Sequence, residues 1–224
     1  MKNKFWAFPF QRLLLLTVAC SLMLSCNTTR LIKPLKQGDH QISVDAGGPV
    51  IGTPLPLSSI SYAYGLKENL SVFGGLQLTD LAFNTIQMDL GANYGWKEPN
   101  GFVPGLSFNG VLNPIYELRT SSFRLFPETA INAYWSISEK HFPYVGFTYW
   151  YDLAYASTEL GKGNFLHPTT MIGYRFEAKK WTIGLEAKWL NFDKALAIPQ
   201  IQHSAIAGRG AVGFYLKVAY TLNK

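Results

Sequence analysis

The chain has 224 residues, 15% of them charged and 15% aromatic, with 20 glycines, 2 cysteines and a formal charge of +6. That composition suits one all-β domain better than two helical ones. The positive excess sits partly in the first residues (Lys2, Lys4, Arg12) and just beyond them (Arg30, Lys33, Lys36), and no basic stripe with interleaved aromatics follows, which argues against nucleic acid as a partner.

At the N-terminus, Lys2, Lys4 and Arg12 precede an apolar core from Leu13 to Leu24 and then Ser25-Cys26, the order of parts in a secretory signal. The core is shorter than the ~20 apolar residues that a spanning helix needs. Both cysteines, Cys20 and Cys26, lie at the end of this run, so cleavage would leave the mature domain without a structural disulfide. Met23-Leu24-Ser25-Cys26 resembles a bacterial lipobox, which implies that Cys26 is diacylated on sulfur and becomes the new N-terminus. Leu24 is bulkier than usual at its place; an ordinary cleaved signal is the alternative, and Cys20 after Ala19 is a second acceptor that would cut the apolar core short. The expected organisation is a signal at 1–25, a lipidated N-terminus and tether at 26–39, and a barrel at 40–224.

From residue 41 onward the side chains alternate with period two, the spacing that puts successive residues on opposite faces of a strand. In Ile86 to Trp96 one face carries Ile86, Met88, Leu90, Ala92, Tyr94 and Trp96, while the other carries Gln87, Asp89, Gly91, Asn93 and Gly95. Turn signals divide the chain into about ten strands, at 41–51, 58–66, 69–79, 85–97, 102–113, 122–136, 143–153, 165–177, 180–191 and 210–222. Many reach the roughly 9–11 residues of a membrane strand, beyond the five or six usual in soluble sheets.

Alternation leaves open which face looks inward. A water-facing exterior would carry many Lys and Glu, but the polar phase here is mostly Gly, Ser, Ala, Asn and Thr, which suits a crowded lumen. The apolar phase thickens into aromatics at strand ends: Tyr64, Trp96, Trp135, Phe176, Trp181 and Tyr220 at one end, Phe123, Tyr151 and Trp189 at the other. Two interfacial girdles would look like this; an aromatic-rich soluble sandwich is the alternative. Alternate connections (66–69, 97–101, 138–141, 177–180) are short, and the others, notably 154–164 and 192–209, are longer. Outer-membrane barrels show the same asymmetry between periplasmic turns and external loops.

Ser59 to Leu66 and Met88 to Trp96 resemble the hairpin strands of Gram-negative outer-membrane barrels. With the lipobox, the whole chain is similar to the uncharacterised outer-membrane barrel lipoproteins of Bacteroidota. The resemblance implies an antiparallel up-and-down transmembrane β-barrel of about ten strands (eight to twelve), located in the outer membrane, with membrane lipid and the outer-membrane assembly machinery as partners. It implies no activity or ligand. Such barrels end in an aromatic residue that the machinery reads; here the chain ends Tyr220-Thr221-Leu222-Asn223-Lys224, leaving Tyr220 or Leu222 in that role.

Candidate chemistry is sparse. His40, His141, His167 and His203 have no metal-ligand spacing, and no cofactor is expected. Asp80, Asp152, Asp193 and His203 fall near the external rim without forming an Asp-His pair, and Ser204 beside His203 points away from it in an extended segment, so the chain is expected not to be an enzyme. The lumen phase carries Asp45, Asp89, Arg124, Glu128, Asp152, Arg175, Glu186, Lys188 and Lys217, whose signs nearly cancel. Buried charges are costly unless paired, so these are expected to form a salt-bridge network that cements the interior; a selective polar channel is the alternative. Phe73, Phe126, Tyr134, Trp150 and Tyr215 share that phase and fill it, which leaves a structural or surface-interaction role ahead of small-molecule transport. The long 192–209 connection, with Leu196, Ile198, Ile201, His203, Ile206 and Arg209, is expected outside, as a cap or a contact surface.

Overall fold

The computed structural model describes residues 29–49, 57–153, 166–195 and 205–222. Period-two alternation becomes ten strands: β1 (His40–Pro49), β2 (Leu57–Lys67), β3 (Leu70–Gln77), β4 (Thr85–Lys97), β5 (Gly105–Glu117), β6 (Ser122–Tyr134), β7 (His141–Tyr151), β8 (Leu166–Ala178), β9 (Trp181–Ala195) and β10 (Arg209–Leu222). A single helical turn, α1 (Leu78–Leu81), joins β3 to β4. Each strand pairs antiparallel with the next, and β1 pairs with β10, closing the barrel and leaving no free edge.

Two strands, β5 and β9, differ from expectation by more than two residues at an end. β5 begins at Gly105 and runs on to Glu117, because Glu98 to Pro104 make a longer turn with its own Asn100–Val103 bridge. β9 continues four residues past its expected end. Asn191 takes a left-handed φ of 50°, the register shifts there, and pairing resumes with Arg209 opposite Ala195. The expected 192–209 loop is therefore shorter at both ends. Arg209, placed in it from sequence, opens β10, and its carbonyl accepts a hydrogen bond from Trp189 Nε1 at 3.0 Å. His203 lies outside the described residues.

The register fixes two faces of opposite character. Inside, Ser43, Ser59, Ser107, Asn93, Asn109 and Asn132 are buried. Outside, Ile42, Val44, Ile60, Tyr62, Met88, Leu112, Ile172, Leu185 and Leu216 are exposed over the whole circumference. Leu90 is 51% exposed while Asn93, three residues on, is 0% exposed. A soluble protein hides such a face, whereas a closed barrel that displays it is solvated by lipid. Tyr64, Trp96, Trp135, Phe176, Trp181 and Tyr220 ring the end that carries the short turns, where Trp181 and Tyr220 stack edge-on at 4.9 Å between ring centroids. His40 and His141 join this ring through Nδ1 contacts with the hydroxyls of Tyr62 and Tyr174. Phe123, Tyr151 and Trp189 lie toward the opposite, loop-bearing end.

This orientation sets a depth-dependent expectation. Leu90→Arg, near the middle of the outer face, should cost on the order of 2–4 kcal/mol in lipid vesicles, and Trp96→Arg, at the turn-end ring, about 0–1 kcal/mol. Urea unfolding of the two variants in the same vesicles measures the difference; equal costs would be incompatible with a lipid-facing exterior.

Candidate functional site

The polar residues that face inward enclose the chain itself. Residues 29–36, which precede β1 and were expected as part of a tether, enter at the turn end and climb to mid-lumen, with Thr29, Arg30, Leu31 and Ile32 all buried. The contacts give the path. Near the turn end, Gly38 N donates to Gly65 O and Gly65 N donates to Asp39 O, both at 2.9 Å, and Leu35 N donates to Ser71 Oγ at 2.8 Å. Deeper, Lys33 pairs with Glu177 at 2.8 Å and lies over the Phe142 ring, while Ile32 packs among Tyr134, Phe142, Tyr144 and Met171. Deeper still, Asn109 Nδ2 donates to Leu31 O at 3.0 Å and Asn93 Nδ2 to the same oxygen at 3.3 Å, and Ser107 Oγ donates to Ile32 O.

Arg30 is the centre of the site. Its Nη1 donates to Asp89 Oδ2 at 2.7 Å; its Nη2 donates to Glu128 Oε2 and to Asn113 Oδ1, both at 2.8 Å. Nε faces the other Glu128 oxygen at 3.4 Å, so the planar group meets that carboxylate with two of its three nitrogens, a geometry a lysine cannot reproduce. Asn113 and Gln77 support the carboxylates, donating to Glu128 Oε2 at 3.3 Å and to Asp89 Oδ2 at 2.9 Å. Arg175 Nη2 donates to the Arg30 carbonyl, which fixes the backbone behind the guanidinium. Thr29 Oγ1 donates to Asp45, whose carboxylate faces Lys217 Nζ at 3.4 Å.

Most of the expected lumen charges meet in this network. Asp45, Asp89, Glu128, Arg175, Glu186, Lys188 and Lys217 are buried and engaged, with Lys188 3.2 Å from Glu186, and Tyr144 donating to Glu186 at 2.6 Å. Asp152 is buried just beyond β7. Arg124 is a correction: it shares the inward phase, but at the loop end of β6 it stands exposed at the mouth. At the same rim Asp80 lies on α1, its carboxyl pushed up to about 6 by partial burial first and by Asp89 second. Asp193 is exposed at the loop end of β9.

Among the described residues, with Arg124 outside, the buried wall carries five carboxylates (Asp45, Asp89, Glu128, Asp152, Glu186) against three cations (Arg175, Lys188, Lys217), and Arg30 is the fourth. Nothing in strand periodicity pointed to Arg30. Leu31, Ile32 and Leu35 in a supposedly solvated linker are the signal that could have found it. Two spaces remain beside Arg30, of about 10 and 20 Å³, each large enough for at most one water. Two glycines make the passage at the turn end. A Cβ on Gly65 would sit 2.0 Å from Lys36 O, and one on Gly95 would sit 2.9 Å from the Pro34 ring.

Arg30→Met should cost about 3–5 kcal/mol of stability, because it removes the cation shared by two desolvated carboxylates. Adding Asp89→Asn and Glu128→Gln should recover most of that loss. Urea unfolding in vesicles compares the two variants, and an equal loss in both would mean that the ion pairs are not what Arg30 contributes.

No family model matches this chain, and no curated protein matches it. Among solved structures it is similar to a KdgM porin in complex with disordered oligogalacturonate (8% identity, TM-score 0.45, covering 82% of this chain and 99% of that one). It is also similar to the translocator domain of the autotransporter NalP from Neisseria meningitidis (11% identity, TM-score 0.41, 95% of each chain). A third is the N-terminal β-barrel domain of Pseudomonas aeruginosa OprF (10% identity, TM-score 0.34, 84% of this chain and 100% of that one). The closed antiparallel barrel assigned to this chain rests on its own strand pairing.

Proposed function

We propose that the protein is a Gram-negative outer-membrane β-barrel lipoprotein with a structural or surface-interaction role, closed to solutes by its own residues 29–36. The occupied lumen carries this proposal: Arg30 is held by Asp89, Glu128 and Asn113 at mid-barrel, and the spaces beside it hold no more than single waters. The apolar exterior with its two aromatic ends supports membrane residence. The turn and loop asymmetry supports a periplasmic turn end, since outer-membrane barrels have short periplasmic turns. The lipobox-like Ser25-Cys26 supports a second, covalent attachment; both residues lie outside the described part of the chain. Insertion into lipid by the assembly machinery and a non-enzymatic role complete the proposal.

Planar-bilayer recording tests the closed state. The wild-type chain should carry no steady current. Replacing residues 29–36 by Gly and Ser in equal number should open one, and the five-to-three excess of buried wall carboxylates should make it cation-selective. A steady wild-type current would overturn the closed reading and favour transport.

Fatty-acid labelling should be lost in Cys26→Ala and kept in Cys20→Ala. The reverse pattern would move the lipid to Cys20. A chain carrying a plain cleaved signal in place of residues 1–25 should still partition with membranes, because the barrel itself is lipid-facing; release into the soluble fraction would contradict that.

A further inference from the structure

The contacts between the wall and residues 29–36 have the form of peptide recognition. Main-chain groups are bound at several successive residues, by Arg175 at Arg30, by Asn93 and Asn109 at Leu31, by Ser107 at Ile32 and by Ser71 at Leu35. Side chains are read separately. The carboxylates of Asp89 and Glu128 take a guanidinium, an aromatic cage takes Ile32, and Glu177 with the Phe142 face takes an ammonium. Main-chain bonds supply affinity and side-chain pockets supply specificity wherever proteins bind linear peptides.

We propose that the lumen wall is a binding site for linear basic peptides of the pattern Arg-apolar-apolar-Lys-Pro, which residues 29–36 occupy in cis, and that a separate peptide of that pattern binds once the cis segment is gone. The inference rests on the occupied lumen described above and adds a ligand class to it. Three observations point to a peptide rather than a small cation. Asp89 on β4 and Glu128 on β6 flank β5 and converge with its Asn113 on one planar group, a match to guanidinium geometry. Each of the buried carbonyls of Arg30, Leu31 and Ile32 has its own wall donor, so the wall is complementary to a backbone. The site is open at the turn end, where Lys36 and Gln37 are exposed and Gly65 and Gly95 leave room for main chain and a proline ring. In the intact chain the short connection to β1 gives the cis segment an effective concentration in the millimolar range, so it excludes a separate peptide.

The test uses the full chain with residues 29–36 replaced by Gly and Ser, folded in vesicles, and a fluorescent peptide Thr-Arg-Leu-Ile-Lys-Pro-Leu-Lys. Saturable binding is expected in this variant and none in the wild type. A peptide with norleucine in place of arginine should bind about tenfold to a hundredfold more weakly. Asp89→Asn with Glu128→Gln in the same variant should abolish that discrimination. If the replaced chain does not fold, a protease site inserted between Gln37 and Gly38 of the unlipidated Cys26→Ala chain and cut after folding leaves the native segment free to exchange with the labelled peptide, and exchange is then the expected result. Absence of binding to a folded, cut or replaced barrel, or equal binding of the norleucine peptide, overturns the proposal. The conductance of the replaced variant separates the two levels. A barrel that conducts yet ignores the peptide keeps the plug and loses the receptor, and a barrel that never conducts loses the plug as well.

Discussion

A guanidinium withdrawn from water must have every hydrogen bond it surrenders replaced, and the interior of this barrel supplies those replacements to Arg30 from three strands at once. Asp89 on β4, Asn113 on β5 and Glu128 on β6 converge on it, and each would be a liability alone. Two carboxylates in a lumen walled off from solvent are tolerable only with a cation between them. The arrangement is mutual: the wall makes burial of Arg30 possible, and Arg30 makes burial of the wall's acids possible. The course of the neighbouring residues follows from this fixed point, with Thr29 directed to Asp45 on one side and Leu31 and Ile32 directed to the polar ladder of Asn93, Asn109 and Ser107 on the other.

Much of the fold was legible because a β-strand writes its two environments into alternate residues. Ile86 to Trp96 displays both faces of β4 without ambiguity, and β4 extends one residue beyond that pattern at each end. Phase, however, tells the side of the wall and not the depth along it. Arg124 and Glu128 share a phase on β6, yet one is exposed at the mouth and the other is buried beside Arg30. The placement of residues 29–36 was illegible for a different reason. What draws Arg30 inside lies 59 and 98 residues away in sequence, and local periodicity holds no record of such partners. The continuation of β9 to Ala195 was hidden by Asn191, whose left-handed backbone breaks the alternation without ending the pairing.

Outer face and lumen divide the energetic work. The exterior is made of residues that need only be apolar, so its tolerance of substitution is set by depth in the bilayer. The interior is made of specific donors and acceptors, where loss of one partner strands another. Substitutions of similar size on neighbouring residues such as Leu90 and Asp89 therefore act through unrelated physics, although a single peptide bond separates them.

The join between the lumen segment and β1 has a consequence for how the barrel forms. β1 follows that segment after a turn at Gln37 and Gly38, and β1 is also half of the seam, where Gln41 meets Thr221 across 180 residues of chain. Contacts of such long range form late, since the entropy of closing the loop must be overcome before they contribute. A short turn joins the segment to β1, so wherever β1 pairs, the segment is held at the turn-end opening of the cylinder that it fills. Closure of β1 onto β10 therefore brings the lumen's own contents to its open end, and filling needs no search for a partner.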